Sequence, residues 1–137
     1  MTLVPDVSAI LSQVLDDEDA TYAEAVIEAI AADDALVPTL FWFEIRNALL
    51  TAERRKRLTA KATTAFLADL SLLPIEVDDL PRESAVFDLA RRHRLTIYDA
   101  AYLELAQRTG LALARVDRAL MAVANAAGVG LFRSSRN

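Results

Sequence analysis

The sequence predicts a single three-layer α/β/α domain built on a short, mainly parallel central sheet of about five strands. Three observations predict it. Short apolar runs, several of them β-branched, alternate with longer segments whose apolar residues recur at helical spacing, the order that parallel crossovers produce. At 137 residues the chain has the length of one domain and can bury a substantial core. No repeat, low-complexity tract or linker divides it. Residues 1–133 are therefore expected to form the domain and residues 134–137 a frayed tail.

The elements follow in order. Leu3 and Val4 before Asp6, with Val7 and Ile10 after it, predict a strand over residues 2–5 that runs into a helix. Ala23, Val26, Ile27 and Ile30 form one stripe and predict a helix over residues 20–32. Ala35-Leu36-Val37 is a short strand stopped by Pro38. Phe41, Ile45, Ala48, Leu49 and Ala52 mark a helix over residues 40–57, and a second runs over residues 59–72 from Thr59, a capping residue type. These two make a helical arm. Residues 74–77 are a third strand, and Pro81, suited to a first turn, opens a helix to about Arg92. A helix over residues 98–108 stops at Thr109-Gly110, a strand covers residues 111–116, and a helix over residues 117–127 closes at Gly128. Residues 129–132 give a last strand.

Composition removes several function classes. With no cysteine there are no disulfides, thiolate nucleophiles or zinc-ribbon sites. The lone histidine sits in Arg91-Arg92-His93-Arg94, whose positive field disfavours a cation, and reads as a surface residue. A metal would thus be held by carboxylates, which points to Mg²⁺ with Mn²⁺ as a substitute. No apolar run is long enough to span a membrane, and the first charge is acidic Asp6 rather than the basic start of a secretory signal, so the expected location is the cytoplasm. Net charge is −5, with acid concentrated at residues 16–19, 33–34 and 76–79. Basic residues cluster at Arg54-Arg55-Lys56-Arg57 and Arg91-Arg92-His93-Arg94. The plain reading of those runs is solvated helix faces; the functional one is phosphate contact, for which arginine is well suited.

Four acids stand where strands end or helices begin: Asp6, Glu44, Asp99 and Asp117. In an open α/β sheet, ligands gather beyond the carboxyl ends of the strands, so the four are expected to converge there on a divalent cation. Each also has a structural explanation. Asp6, with Ser8 two residues on, and Asp117 suit helix caps, and Asp99 in a first turn complements the macrodipole. Glu44 lies inside or at the margin of an apolar stripe, where a carboxylate is costly unless paired or metal-bound. Asn47 shares its face and can supply an amide to orient a carboxylate or a water.

Four segments carry a resemblance: Val4-Pro5-Asp6-Val7-Ser8-Ala9, Phe43-Glu44-Ile45-Arg46-Asn47-Ala48-Leu49, the block from Leu95 through Tyr98-Asp99-Ala100-Ala101-Tyr102-Leu103 to Ala106, and Leu113-Ala114-Arg115-Val116-Asp117-Arg118-Ala119-Leu120. In order and spacing they resemble the PIN domain, specifically the VapC toxins of toxin–antitoxin pairs. The resemblance spans essentially the whole chain. It implies a PIN-like fold, a Mg²⁺-dependent endoribonuclease acting on RNA, a homodimer, and inhibition by a cognate VapB-type antitoxin. It also implies that Asp6, Glu44 and Asp99 are acidic metal positions, Asp117 the more variable fourth acid, and Asn47 a polar neighbour of the second. The chain departs from the pattern at Arg115, where many relatives carry Thr or Ser. A guanidinium there can grip phosphate or disturb the water network.

On this reading Asp6 and Asp99 are expected to hold the cation directly, with Glu44 and Asp117 completing the shell through waters or a second ion. Arg54, Arg55, Arg57, Arg91, Arg92 and Arg115 are the RNA-binding candidates. Apolar grooves around residues 40–72 are expected to take a basic antitoxin helix. Two rivals stand beside it. A phospho-acceptor receiver needs a late lysine, and the only lysines are Lys56 and Lys61. A catalytically inactive PIN-like binding module, in which the acids are caps, is the other.

Overall fold

Four short strands, each flanked by helices, place one end of a parallel sheet where the acids gather. The computed structural model describes residues 3–15 and 19–133. In chain order the elements are β1 (Leu3–Pro5), α1 (Val7–Leu15), α2 (Ala20–Ala32), β2 (Ala35–Pro38), α3 (Leu40–Arg54), α4 (Ala60–Leu70), β3 (Ile75–Asp78), α5 (Glu83–His93), α6 (Ile97–Thr109), β4 (Ala112–Ala114) and α7 (Arg118–Ala126). Thr2, the acidic residues 16–18 and the tail expected to fray lie outside the described residues.

The sheet order is β3-β2-β1-β4, parallel throughout. Strands covered on both faces read as continuous apolar runs. Accordingly Leu3, Val4, Ala35, Val37, Leu113 and Ala114 are fully buried. Pro5 pairs with Ala114, so β1 and β4 end level with one another, and the residues after them share one edge. Helix α6 packs on β1, β2 and β4, and its whole run from Ala100 to Ala106 is buried. Small Ala100, Ala101 and Ala106 let it lie close to the sheet. Phe41, Ile45, Leu49 and Ala52 bury the stripe of α3 as expected.

Element boundaries differ from expectation for identifiable reasons. The fifth strand, expected over residues 129–132, is a single bridge between Leu113 and Leu131. Alternate residues of a strand face opposite neighbours. Ala114 spends its carbonyl on the Asp6 side, leaving Leu113 to accept from Phe132 N–H (2.9 Å) and donate to Gly130 O (2.8 Å). Pro38 closes β2 rather than stopping it short, because a missing N–H is harmless at a strand's last position. Helix α3 ends three residues early. Lys56 takes a left-handed conformation (φ 60°), with its N–H on Glu53 O and Arg57 N–H on Ala52 O, a closing motif usually built with glycine. Helix α4 stops at Leu70, two residues early. Helix α5 begins at Glu83 rather than Pro81, since Arg82 remains extended and donates its N–H to Glu104 Oε1. Strand β4 ends at Ala114 because its neighbour β1 ends at Pro5, which frees Arg115 and Val116 from the ladder. Among the described residues no helix is long and apolar enough to cross a membrane.

Candidate active site

The sheet edge beyond Pro5 and Ala114 carries the chemistry. Asp6 follows β1 directly and is buried; its Oδ1 accepts the Ser8 N–H at 2.7 Å. Asp99 lies in the first turn of α6, whose start Thr96 caps by accepting the Asp99 N–H at 3.1 Å. Asp117 caps α7, with Oδ1 accepting the Ala119 N–H at 2.9 Å. Glu44, on α3, accepts the Tyr102 hydroxyl at 2.7 Å. Capping and convergence are thus compatible: Asp6 and Asp117 each turn one oxygen to the backbone and the other to a shared centre.

That centre is Arg115. Its Nη1 lies 2.7 Å from Asp6 Oδ2 and 3.0 Å from Asp99 Oδ1, and its Nη2 lies 3.3 Å from Asp117 Oδ2. Only 11% of its side chain is exposed, and its buried Nε has no hydrogen-bond partner among the described residues. Burial works against the charge on Arg115, but Asp6 and Asp99 outweigh it and raise its pKa. Burial also opposes ionisation of Asp117, and there the Ala119 N–H and Arg115 win, lowering its pKa. Glu44 moves the other way. Burial, helped by the charges of Asp6 and Asp99, raises its pKa despite the Tyr102 hydrogen bond and the field of Arg115.

Of the other expected site residues, Ser8 supports Asp6 through its N–H, and its Oγ is 3.5 Å from the Val116 N–H. Asn47 is exposed and lines a cleft of about 510 Å³ with Leu40, Phe43, Glu44 and Tyr98. Arg54, Arg55 and Arg57 cluster at the end of α3, and Arg91 and Arg92 lie in the last turn of α5; all five are exposed. There they complement the carboxyl ends of the helix dipoles. Arg54 is ten residues beyond Glu44, about 15 Å along the helix axis.

Sequence reasoning missed Tyr102 as the partner of Glu44, although its place three residues after Asp99 sets both on one face of α6. It also missed Phe43 and Tyr98, which are 69% and 62% exposed on the rim of the cleft. Each directly precedes one of the acids.

A titration tests the Tyr102 contact. Burial raises the proton affinity of Glu44 above its unfolded value, so native Glu44 binds its proton more tightly than unfolded Glu44 does. Its contribution to stability is full below the unfolded pKa and lost as pH rises through the folded one. Tyr102→Phe removes the donor that favours the ionised form. In metal-free protein the Glu44 midpoint should rise further, and more stability should be lost as pH rises from the unfolded value through that higher midpoint. Carboxyl-carbon NMR of Glu44 reads the midpoint; a midpoint unchanged or lowered would refute the contact's role.

The donor set fits a hard divalent cation. It is all oxygen, and one guanidinium against three aspartates leaves the cluster negative before Glu44 is counted. The seat between Asp6 and Asp99 is nonetheless taken by Arg115 Nη1, and among the described residues no three carboxylates stand ready as a metal cage.

A parallel sheet this small, with acids from three separate elements meeting at its carboxyl edge, defines the class: the PIN domain family profile matches residues 3–126, and the chain belongs to that family. Within it, the chain is 30% identical to Ribonuclease VapC3 of Pyrobaculum aerophilum over 125 residues, covering 88% of this chain and 92% of that protein. The solved structure of PAE2754 from Pyrobaculum aerophilum superposes with a TM-score of 0.70 at 27% identity, covering 90% of this chain and 86% of that one. FitAcB from Neisseria gonorrhoeae gives a TM-score of 0.66 at 17% identity over 96% and 97% of the two chains, a likeness of fold.

Proposed function

We propose that this chain is a metal-dependent endoribonuclease, the toxin of a toxin–antitoxin pair, with Mg²⁺ as its cofactor and Mn²⁺ as a substitute. The observation that carries the reading is the gathering of Asp6, Asp99 and Asp117 around one guanidinium, with Glu44 in their electrostatic field, in a PIN-domain chain akin to Ribonuclease VapC3. Asp6 and Asp99 would hold the cation directly, with Glu44 and Asp117 completing the shell. When bound, it supplies Lewis-acid polarisation of the scissile phosphate and a more acidic attacking water.

The chain's own residues do the rest. Glu44, whose raised pKa reflects its half-buried place, is the group suited to hold and pass a proton, with Tyr102 fixing the carboxylate. Asn47 faces the same cleft and can orient a water. Phe43 and Tyr98 present flat faces on which bases of a single strand can stack. The outlying arginine runs supply attraction that the acidic centre lacks.

A VapB-type antitoxin is the proposed inhibitor. A groove of about 180 Å³ that includes Phe41, Trp42, Leu67, Leu70 and Val77 offers an apolar seat for a helix, and the acidic chain favours a basic partner. A homodimer and a cytoplasmic location complete the proposal.

The ion pairs of Arg115 favour one other reading, an inactive PIN-like module whose acids are caps and counter-ions. Purified, partner-free chain incubated with a mixed structured-RNA pool separates the two. The nuclease cuts with Mg²⁺ or Mn²⁺ and stops in EDTA; an inactive module cuts under neither condition and binds no cation.

A further inference from the structure

The position of Arg115 has a local cause. Strand β4 loses its neighbour after Ala114, so the next side chain is free of the ladder and turns into the space beyond the strand ends. Its Nη1 bridges Asp6 and Asp99 at 2.7 and 3.0 Å, the two carboxylates that would hold the proposed cation. Guanidinium and cation cannot share that place. Guanidinium stays charged at any ordinary pH, so only exchange for another cation relieves the carboxylates of it. The fit is also imperfect: Nε is buried without an acceptor, a cost that a swing of the side chain towards solvent removes.

We propose that Arg115 is a tethered counter-ion that competes with the divalent cation for Asp6 and Asp99. In metal-free protein it neutralises the centre and holds β1, α6 and α7 together. Metal loading is then an exchange reaction, guanidinium out and cation in, and the chain's apparent metal affinity is set below the intrinsic affinity of its carboxylates. This rests on the reading of the acids as a cation seat.

Calorimetric titration with Mn²⁺, together with thermal melting in EDTA, tests it on the wild type, Arg115→Thr and Arg115→Gln. Glutamine retains hydrogen bonds without the charge and serves if the threonine variant does not fold in EDTA. The variants are expected to bind Mn²⁺ about tenfold or more tightly, the scale on which groups around metal ligands shift affinity. They should also melt lower than wild type in EDTA and gain more from Mn²⁺. If wild type and variants bind equally, or the variants bind more weakly, the competition is refuted and the cation seat stands. If none binds Mn²⁺, the cation seat falls and the competition with it.

Discussion

Asp99→Asn is expected to lower metal-dependent RNA cleavage by about 10³-fold, the order seen when one preorganised electrostatic contact is removed from an enclosed site. The substitution keeps the shape of the side chain and removes its charge. Helix α6 should not notice: its cap is the Thr96 hydroxyl on the backbone N–H of residue 99, which asparagine retains. An amide oxygen can still accept from Arg115 Nη1, and Arg115 keeps its ion pairs with Asp6 and Asp117. The effect therefore falls on the cation and the reacting phosphate, with the thermal midpoint in EDTA little changed. Cleavage rates and melting on matched preparations decide. Full activity in a well-folded Asp99→Asn protein would show that the Asp99 charge plays no part in holding the cation.

The largest expected stability effect lies elsewhere in α6. Glu104 is 2% exposed, and a carboxylate that deep needs partners. Its Oε1 accepts from Arg108 Nε at 2.7 Å and from the Arg82 N–H at 3.2 Å, while the Arg108 Nη2 reaches Asp78 Oδ2 at 2.7 Å. The guanidinium thus ties α6 to the end of β3, and Glu104, then Asp78, raise its proton affinity. Arg108→Ala leaves the buried charge with one backbone donor. It should cost about 3–5 kcal/mol in urea unfolding, as for other broken buried pairs. Removing both charges in Glu104→Leu/Arg108→Met should recover most of that loss, because two apolar side chains need no pairing. A single-variant cost below about 1 kcal/mol would mean that water reaches Glu104 and the pair behaves as a surface one.

The α/β alternation was legible because each buried strand is a short apolar run and each helix repeats at its own period. Ala23, Val26 and Ile30, or Phe41, Ile45 and Leu49, need no tertiary information to be placed on a buried face. Helix ends were less legible where a non-glycine residue adopts a left-handed turn. Lys56 and Arg94 do so at φ 60° and 55°, and nothing in a basic run announces it. The start of α5 depended on Glu104, twenty-two residues downstream of Arg82. Asp6, Asp99 and Asp117 could be read as a set because each sits at an element boundary, and Glu44 joined them as a carboxylate on or beside the apolar stripe of α3. How Arg115 would use them could not, since its direction follows from where the neighbouring strand stops. Both readings of the arginine, a grip on phosphate or a disturbance of the site's water, left out a third that the geometry makes: a fixed positive charge seated among the carboxylates themselves.

Strand β3 has a consequence for the behaviour of many copies together. It is the outer strand of the sheet, and among the described residues no further strand pairs with its free side. Such an edge is a template on which another chain can add. Here Glu76 and Asp79 stand exposed along and just beyond it, so two edges that meet bring like charges face to face. Protection against strand-to-strand self-association therefore rests on exposed charges, and added salt, which screens such charges, weakens it.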